Sequence, residues 1–154
     1  MVRTPSLVVG VFLALLLCGA SAHADLAGST PGQFEEVPPG LTSLELVFTM
    51  DVEPRFSGFD VLRVDLPDDM LPANLHAPTP AEERALAAWA TSHLREVGSD
   101  ELLALTVEPA TGSGAAITLT FAEPLTAASY ALAYEVLAVD GHTTAGYLFF
   151  FVRE

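Results

Sequence analysis

The sequence predicts an all-β fold, an antiparallel sandwich or Greek-key barrel with one helical insert, and three observations carry that prediction. Short stretches rich in Leu, Val, Phe and Tyr recur along the chain, separated by Gly, Pro, Ser and Asp. Strands at such spacing suit two sheets packed face to face. One segment alone has helical instead of alternating periodicity, and the 154 residues suffice for a single domain with a real core.

The first residues do not belong to that domain. A start whose only charge is Arg3 leads into the apolar run Leu7 to Leu17 and then into small residues, the order of a secretory signal. The run is too short to span a bilayer. The small-residue cleavage rule fits twice: a cut after Ala22 leaves His23 first, and a cut after Ala24 leaves Asp25 first. We read residues 1–22 as the signal peptide and 23–154 as the domain, exported to the periplasm or beyond. Cys18, the one cysteine, falls in the leader, so the exported chain has no disulfide to form.

After a Gly- and Pro-punctuated opening, "AGSTPGQFEEVPPG", strands are expected at 44–48, 59–66, 102–109, 115–121, 130–139 and 146–152. Between the second and third stands "PTPAEERALAAWATSHLREVG". Thr79, Pro80 and Glu82 match a capping box with proline at the first helical position, and Gly98 supplies the stop. The expected helix runs from about Pro80 to Val97. Leu86, Trp89, Ala90, His93, Leu94 and Val97 share one face, which must lie against a sheet or close one end of the sandwich. Trp89 is read as a packing anchor.

Charge narrows the function. The chain has 20 acidic residues against six basic ones, all arginine, for a formal charge of −14. Nucleic acid and anionic lipid both demand clusters of Lys and Arg, so neither is expected as a partner. Cations suit such a surface.

Of the four histidines, His76 lies in a Pro-rich loop and His93 on the helix, where loop and packing roles are expected. His142 stands in "AVDGHTTAG" between two predicted strands. If the segment stays extended, Asp140 and His142 share a face; alone, Asp-Gly there reads as a turn. His23 strengthens the metal reading. At a free N-terminus it offers its α-amine and ring Nδ1 together, closing a chelate ring. With the His142 imidazole and the Asp140 carboxylate the set is three nitrogens and an oxygen, suited to one tetragonal Cu(II) ion per chain. Zinc, the main competitor, favours tetrahedral sites.

These residues resemble the periplasmic copper-resistance protein C (CopC) family. The likeness rests on "HADLAGSTPG" after a leader, "LELVFTMDVEPRFSG", "LTAASYALAYEVLAVDGHTTAG" and the closing "YLFFFV". It implies an immunoglobulin-like or cupredoxin-like β-sandwich, a Cu(II) carrier without catalytic residues, and ligation by His23, Asp140 and His142. It further implies a monomer that delivers copper to a CopD-like membrane transporter. One departure concerns the position after the F-T pair, where the family commonly has an acidic residue orienting a ligand; Met50 stands there, with Asp51 beside it as the candidate substitute. Some relatives have a methionine-rich Cu(I) site, but only Met50 and Met70 follow the leader, so none is expected here. Two other readings remain open: a copper monooxygenase of the histidine-brace kind, and a metal-free immunoglobulin-like interaction module.

Overall fold

The computed structural model describes residues 24–75, 77–96, 102–110 and 114–154. The leader, His23, His76 and Val97 lie outside them. The strands are β1 (Leu26–Thr30), β2 (Glu36–Val37), β3 (Leu41–Phe48), β4 (Gly58–Val64), β5 (Leu105–Pro109), β6 (Ala116–Leu125), β7 (Ala128–Leu137) and β8 (Thr143–Val152), with helix α1 (Pro80–Glu96) between β4 and β5. They form two four-stranded sheets, ordered β1-β3-β6-β5 and β2-β8-β7-β4. Every pairing is antiparallel except β2 with β8. All six strands expected from sequence are present.

The sandwich core follows from alternation. Leu44, Leu46 and Phe48 of β3 and Ile117, Leu119 and Phe121 of β6 meet Phe59, Val61, Leu132, Leu148, Phe150 and Val152 of the facing sheet. Tyr130 joins them, its ring stacked on Phe150 with centroids 5.4 Å apart. Its hydroxyl donates to the Thr126 carbonyl at 2.9 Å, so the polar end of a buried ring is satisfied.

The β8 run "LFFFV" is buried at every position, which one buried face cannot explain. Its alternate residues Phe149 and Phe151, with Ala131, Leu62 and Val64, form a second cluster together with Phe34 and with Leu86 and Ala90 of α1. The helix therefore covers the outer face of the β2-β8-β7-β4 sheet, and a strand buried on both faces reads as a continuous apolar run. Trp89 packs at the rim of this cluster, stacked on His93 at 4.8 Å and tilted toward Phe149 at 6.3 Å. Its role as a packing anchor holds. Met50 packs against the inner cluster and Met70 against the outer one, on opposite sides of that sheet.

The capping box forms as its residues dictate. The Thr79 N–H donates to Glu82 Oε2 at 2.7 Å, and the Glu82 N–H donates back to Thr79 Oγ1 at 3.3 Å. The Ala73 N–H donates to the other oxygen at 3.0 Å, so the carboxylate ties the preceding loop to the helix start. Hydrogen bonds from the Thr79 hydroxyl, and from the Ala73 and Thr79 amides, hold the Glu82 carboxyl below its ordinary range. A group depressed on folding contributes in full above its unfolded value, about pH 4.3 for Glu, and loses the contribution as pH falls through the folded value. We expect α1 to loosen first on acidification below about pH 4.3. In Glu82→Gln, which keeps one of the two acceptor oxygens and does not titrate, that acid-sensitive step in helical circular dichroism should vanish; an unchanged acid profile would show that Glu82 is not its source.

Candidate metal centre

Asp140 and His142 sit in the turn that joins β7 to β8, and the turn is built by backbone first. The Gly141 N–H donates to the Ala138 carbonyl at 2.9 Å, and the Ala138 N–H donates to the His142 carbonyl at 2.8 Å. Gly141 adopts φ +90°, a conformation that costs little only without a Cβ. The segment is therefore not extended, and the two side chains do not meet by strand alternation. They meet because Asp140 folds back over the turn: its Oδ1 accepts the His142 N–H at 3.0 Å, and its Oδ2 lies 3.2 Å from His142 Nδ1. The two sequence readings, turn former and paired site, describe one object.

This geometry has a chemical consequence. A neutral ring whose Nδ1 donates to a carboxylate has its lone pair on Nε2, and a carboxylate behind a histidine in this way fixes the orientation of the ring. The hydrogen bond from the His142 amide is the main cause that keeps the Asp140 carboxyl below its usual range, with smaller help from the His142 ring. Asp140 is thus held toward its anionic form. The His142 side chain is 57% exposed and that of Asp140 29%, so the pair is open to an ion arriving from solvent.

Neighbouring segments hold the turn in place. The stretch Asp51–Glu53 runs alongside it: the Val139 N–H donates to the Asp51 carbonyl at 3.1 Å and the Glu53 N–H to the Leu137 carbonyl at 2.8 Å, with Val52 bridged to Ala138. The Asp51 carboxylate lies against Gly114, where a Cβ would approach its Cγ to 2.9 Å. Met50, beside it, is half-buried in the core.

The start of the described chain reaches the same end of the sandwich. Ala24 is fully buried in the inner cluster. Asp25 is fastened to Thr49 twice, its N–H donating to Thr49 Oγ1 at 3.0 Å and its carbonyl accepting the Thr49 N–H at 2.9 Å. Thr49 stands two residues from Asp51, which in turn holds the turn at Val139. Sequence reading does not single out Thr49, because a lone threonine at a strand end carries no signal until its partner is known. Tyr134 lies close by, edge-on to Phe48 at 5.7 Å; burial raises its phenol, and the negative charge of Asp25 raises it further.

Among the described residues no group of three or more His, Cys, Asp and Glu side chains stands close enough to hold a metal ion. The structure brings together Asp140 and His142; His23, the third expected ligand, lies outside the described residues, as does His76. His93 stacks on Trp89 on the outer face of the β2-β8-β7-β4 sheet, in the packing role expected of it.

Residues 89–153 match the family model of the CopC domain, a span from within α1 to the end of β8 that includes Asp140 and His142. No match is found among curated proteins. The fold is similar to that of CopC from Methylosinus trichosporium OB3b, with a TM-score of 0.56 and 21% identity over 84% of this chain and 93% of that one. It is similar also to PcoC, a methionine rich copper resistance protein from Escherichia coli, with a TM-score of 0.57 and 20% identity over 86% of this chain and all of that one. The β-sandwich expected from sequence is therefore the fold of known copper-resistance proteins.

Proposed function

We propose that this chain, whose residues 89–153 carry the CopC domain match, is an exported protein that binds one Cu(II) ion and sequesters or delivers it in copper homeostasis. It acts as a carrier, not an enzyme. The observation that supports this most directly is the Asp140–His142 pair, whose carboxylate orients the imidazole and which falls inside the matched span.

Two residues do not make a tight copper site, and the rest comes from the N-terminus. Asp25 is anchored at Thr49 on the end of the sandwich that holds the turn. A histidine two residues ahead of it is tethered within about 7 Å. With the leader cut after Ala22, His23 supplies its amine and ring Nδ1 and His142 its imidazole, while the Asp140 carboxylate either completes the set as an oxygen donor or orients the His142 ring from behind, an arrangement of the kind Cu(II) prefers. The amine has an ordinary pKa of about 7.7 to 8.0 and must lose its proton to bind, so affinity falls steeply as pH drops through neutrality. The acidic surface favours cations, and delivery goes to a CopD-like membrane transporter from a monomeric carrier.

The intact mass of the exported protein tests the reading. A mass beginning at His23 is expected; one beginning at Asp25 removes the amine chelate and one imidazole, and the three-residue site with them.

A further inference from the structure

The helix covers only part of the sheet on which it packs. Leu62, Ala131 and Phe149 belong to the outer cluster with α1, and strand alternation turns Gly58, Asp60, Ala133 and Glu135 to the same face, nearer the Asp140–His142 turn. No helix covers that half. It forms a cavity of about 340 Å³ in which Phe56, Asp60, Glu135 and Tyr147 surround the small residues Gly58 and Ala133. On its helix side the Tyr147 hydroxyl is hydrogen-bonded to Thr91 Oγ1.

Two features of this half indicate what it takes. Three large apolar side chains are exposed among the described residues, and Phe56 and Val139 are two of them. Their segments are fastened together by the bonds from Glu53 N–H to the Leu137 carbonyl and from Val139 N–H to the Asp51 carbonyl. Ser57 adds a further tie, its hydroxyl donating to the Glu53 carbonyl at 2.8 Å and accepting the Leu137 N–H at 3.1 Å. Apolar groups held on a braced frame lose little freedom when a partner covers them. The second feature is charge. Asp60 and Glu135 are both exposed acidic side chains, and no residue lining the cavity is basic. Carboxylates beside the faces of two aromatic rings attract ammonium and guanidinium groups by charge and by the ring quadrupole. The strands under the cavity, β7 and β8, run directly into the turn that carries the open His142 imidazole.

We propose that this uncovered half of the β2-β8-β7-β4 sheet is a docking surface for a basic segment of the protein that receives the copper: a Lys or Arg side chain seats against Asp60 and Glu135, and an apolar neighbour covers Phe56 and Val139. The purpose of the docking rests on the copper reading above. The docking itself needs no metal.

The test uses metal-free, isotope-labelled protein exported with its own leader, titrated by nuclear magnetic resonance with short peptides of repeated Lys-Leu-Gly, Glu-Leu-Gly or Lys-Ser-Gly units. Amide shifts on adding Lys-Leu-Gly should cluster at Phe56, Asp60, Glu135 and Val139, and the other two peptides should bind at least about 10-fold more weakly. Phe56→Ala and the pair Asp60→Asn with Glu135→Gln should each weaken Lys-Leu-Gly binding about 10-fold or more, the loss expected of a central contact. Shifts scattered over the acidic surface, equal binding of Lys-Ser-Gly, or unchanged affinity in these variants would reduce the effect to general charge attraction and overturn the proposal. Binding of neutral phosphatidylcholine vesicles in place of the peptide would assign Phe56 and Val139 to a membrane and overturn it as well. A Cu(II) titration of the same samples keeps the two readings apart: wild-type copper affinity in the surface variants is expected, whereas a wild type that binds peptide but no copper overturns the copper purpose and leaves the docking surface.

Discussion

Replacing His142 with alanine should lower Cu(II) affinity by more than the roughly 10- to 100-fold typical of groups behind the ligands, with the fold unchanged. The side chain is 57% exposed, so truncation leaves no cavity, and the turn is held by backbone bonds from Gly141 and Ala138 that alanine preserves. The lost imidazole is the one whose orientation Asp140 sets. Asp140→Asn separates the two contributions: its amide oxygen can still accept the His142 N–H, but the negative charge facing Nδ1 is gone. Chelator competition measures both variants, and His93→Ala serves as the reference because that ring stacks on Trp89 instead. Equal affinities across the set would favour a metal-free interaction module in which Asp140, Gly141 and His142 form only a turn.

The largest effect on stability is expected from Phe150→Ala. Phe150 is fully buried and stacked on Tyr130 between the sheets, and β8, which carries it, also begins at the Asp140–His142 turn. Removing such a ring typically costs about 3 to 5 kcal/mol through lost burial and the cavity left behind. For a domain of this size the melting temperature should fall by about 10 to 20 °C. Phe56→Ala, by contrast, removes a ring that is 74% exposed and should change stability by no more than about 0.5 kcal/mol. Copper should recover part of the Phe150→Ala loss, because a ligand that binds only the folded state stabilises it by mass action. Thermal melts with and without Cu(II) check both statements, and a drop of only a degree or two in Phe150→Ala would contradict the two-sheet core described here.

Where the sequence was readable, one element carried its own signal. Alternation in "LELVF" marks a strand with one buried face, and Thr79, Pro80 and Glu82 mark the helix start because a capping box is a contact within four residues. β1 and β2 escaped notice. "LAGST" is small and polar with no alternation, and it is a strand only because β3 offers it a free edge; β2 is two residues laid parallel to the end of β8. Neither has a pattern apart from its partner.

The site divides along the same line. Residue types and order by themselves determined that an acidic, lysine-free chain carries Asp-Gly-His between two strands and, after a leader-like start, a histidine at one of two cleavage positions the small-residue rule allows, because cleavage signals, turn formers and metal donors are local properties of side chains. Only the tertiary structure decided that Asp140 acts on His142 through a turn closed at Gly141, and that β8 is buried on both faces. It also brought Asp25 to Thr49 at the end of the sandwich that holds the Asp140–His142 turn. The Asp140–His142 contact spans two residues, but its form depends on the backbone closing a turn there instead of staying extended; the other relations join residues from 24 to more than 100 positions apart, and contacts of that kind arise from sheet pairing and burial, which no short window of sequence contains.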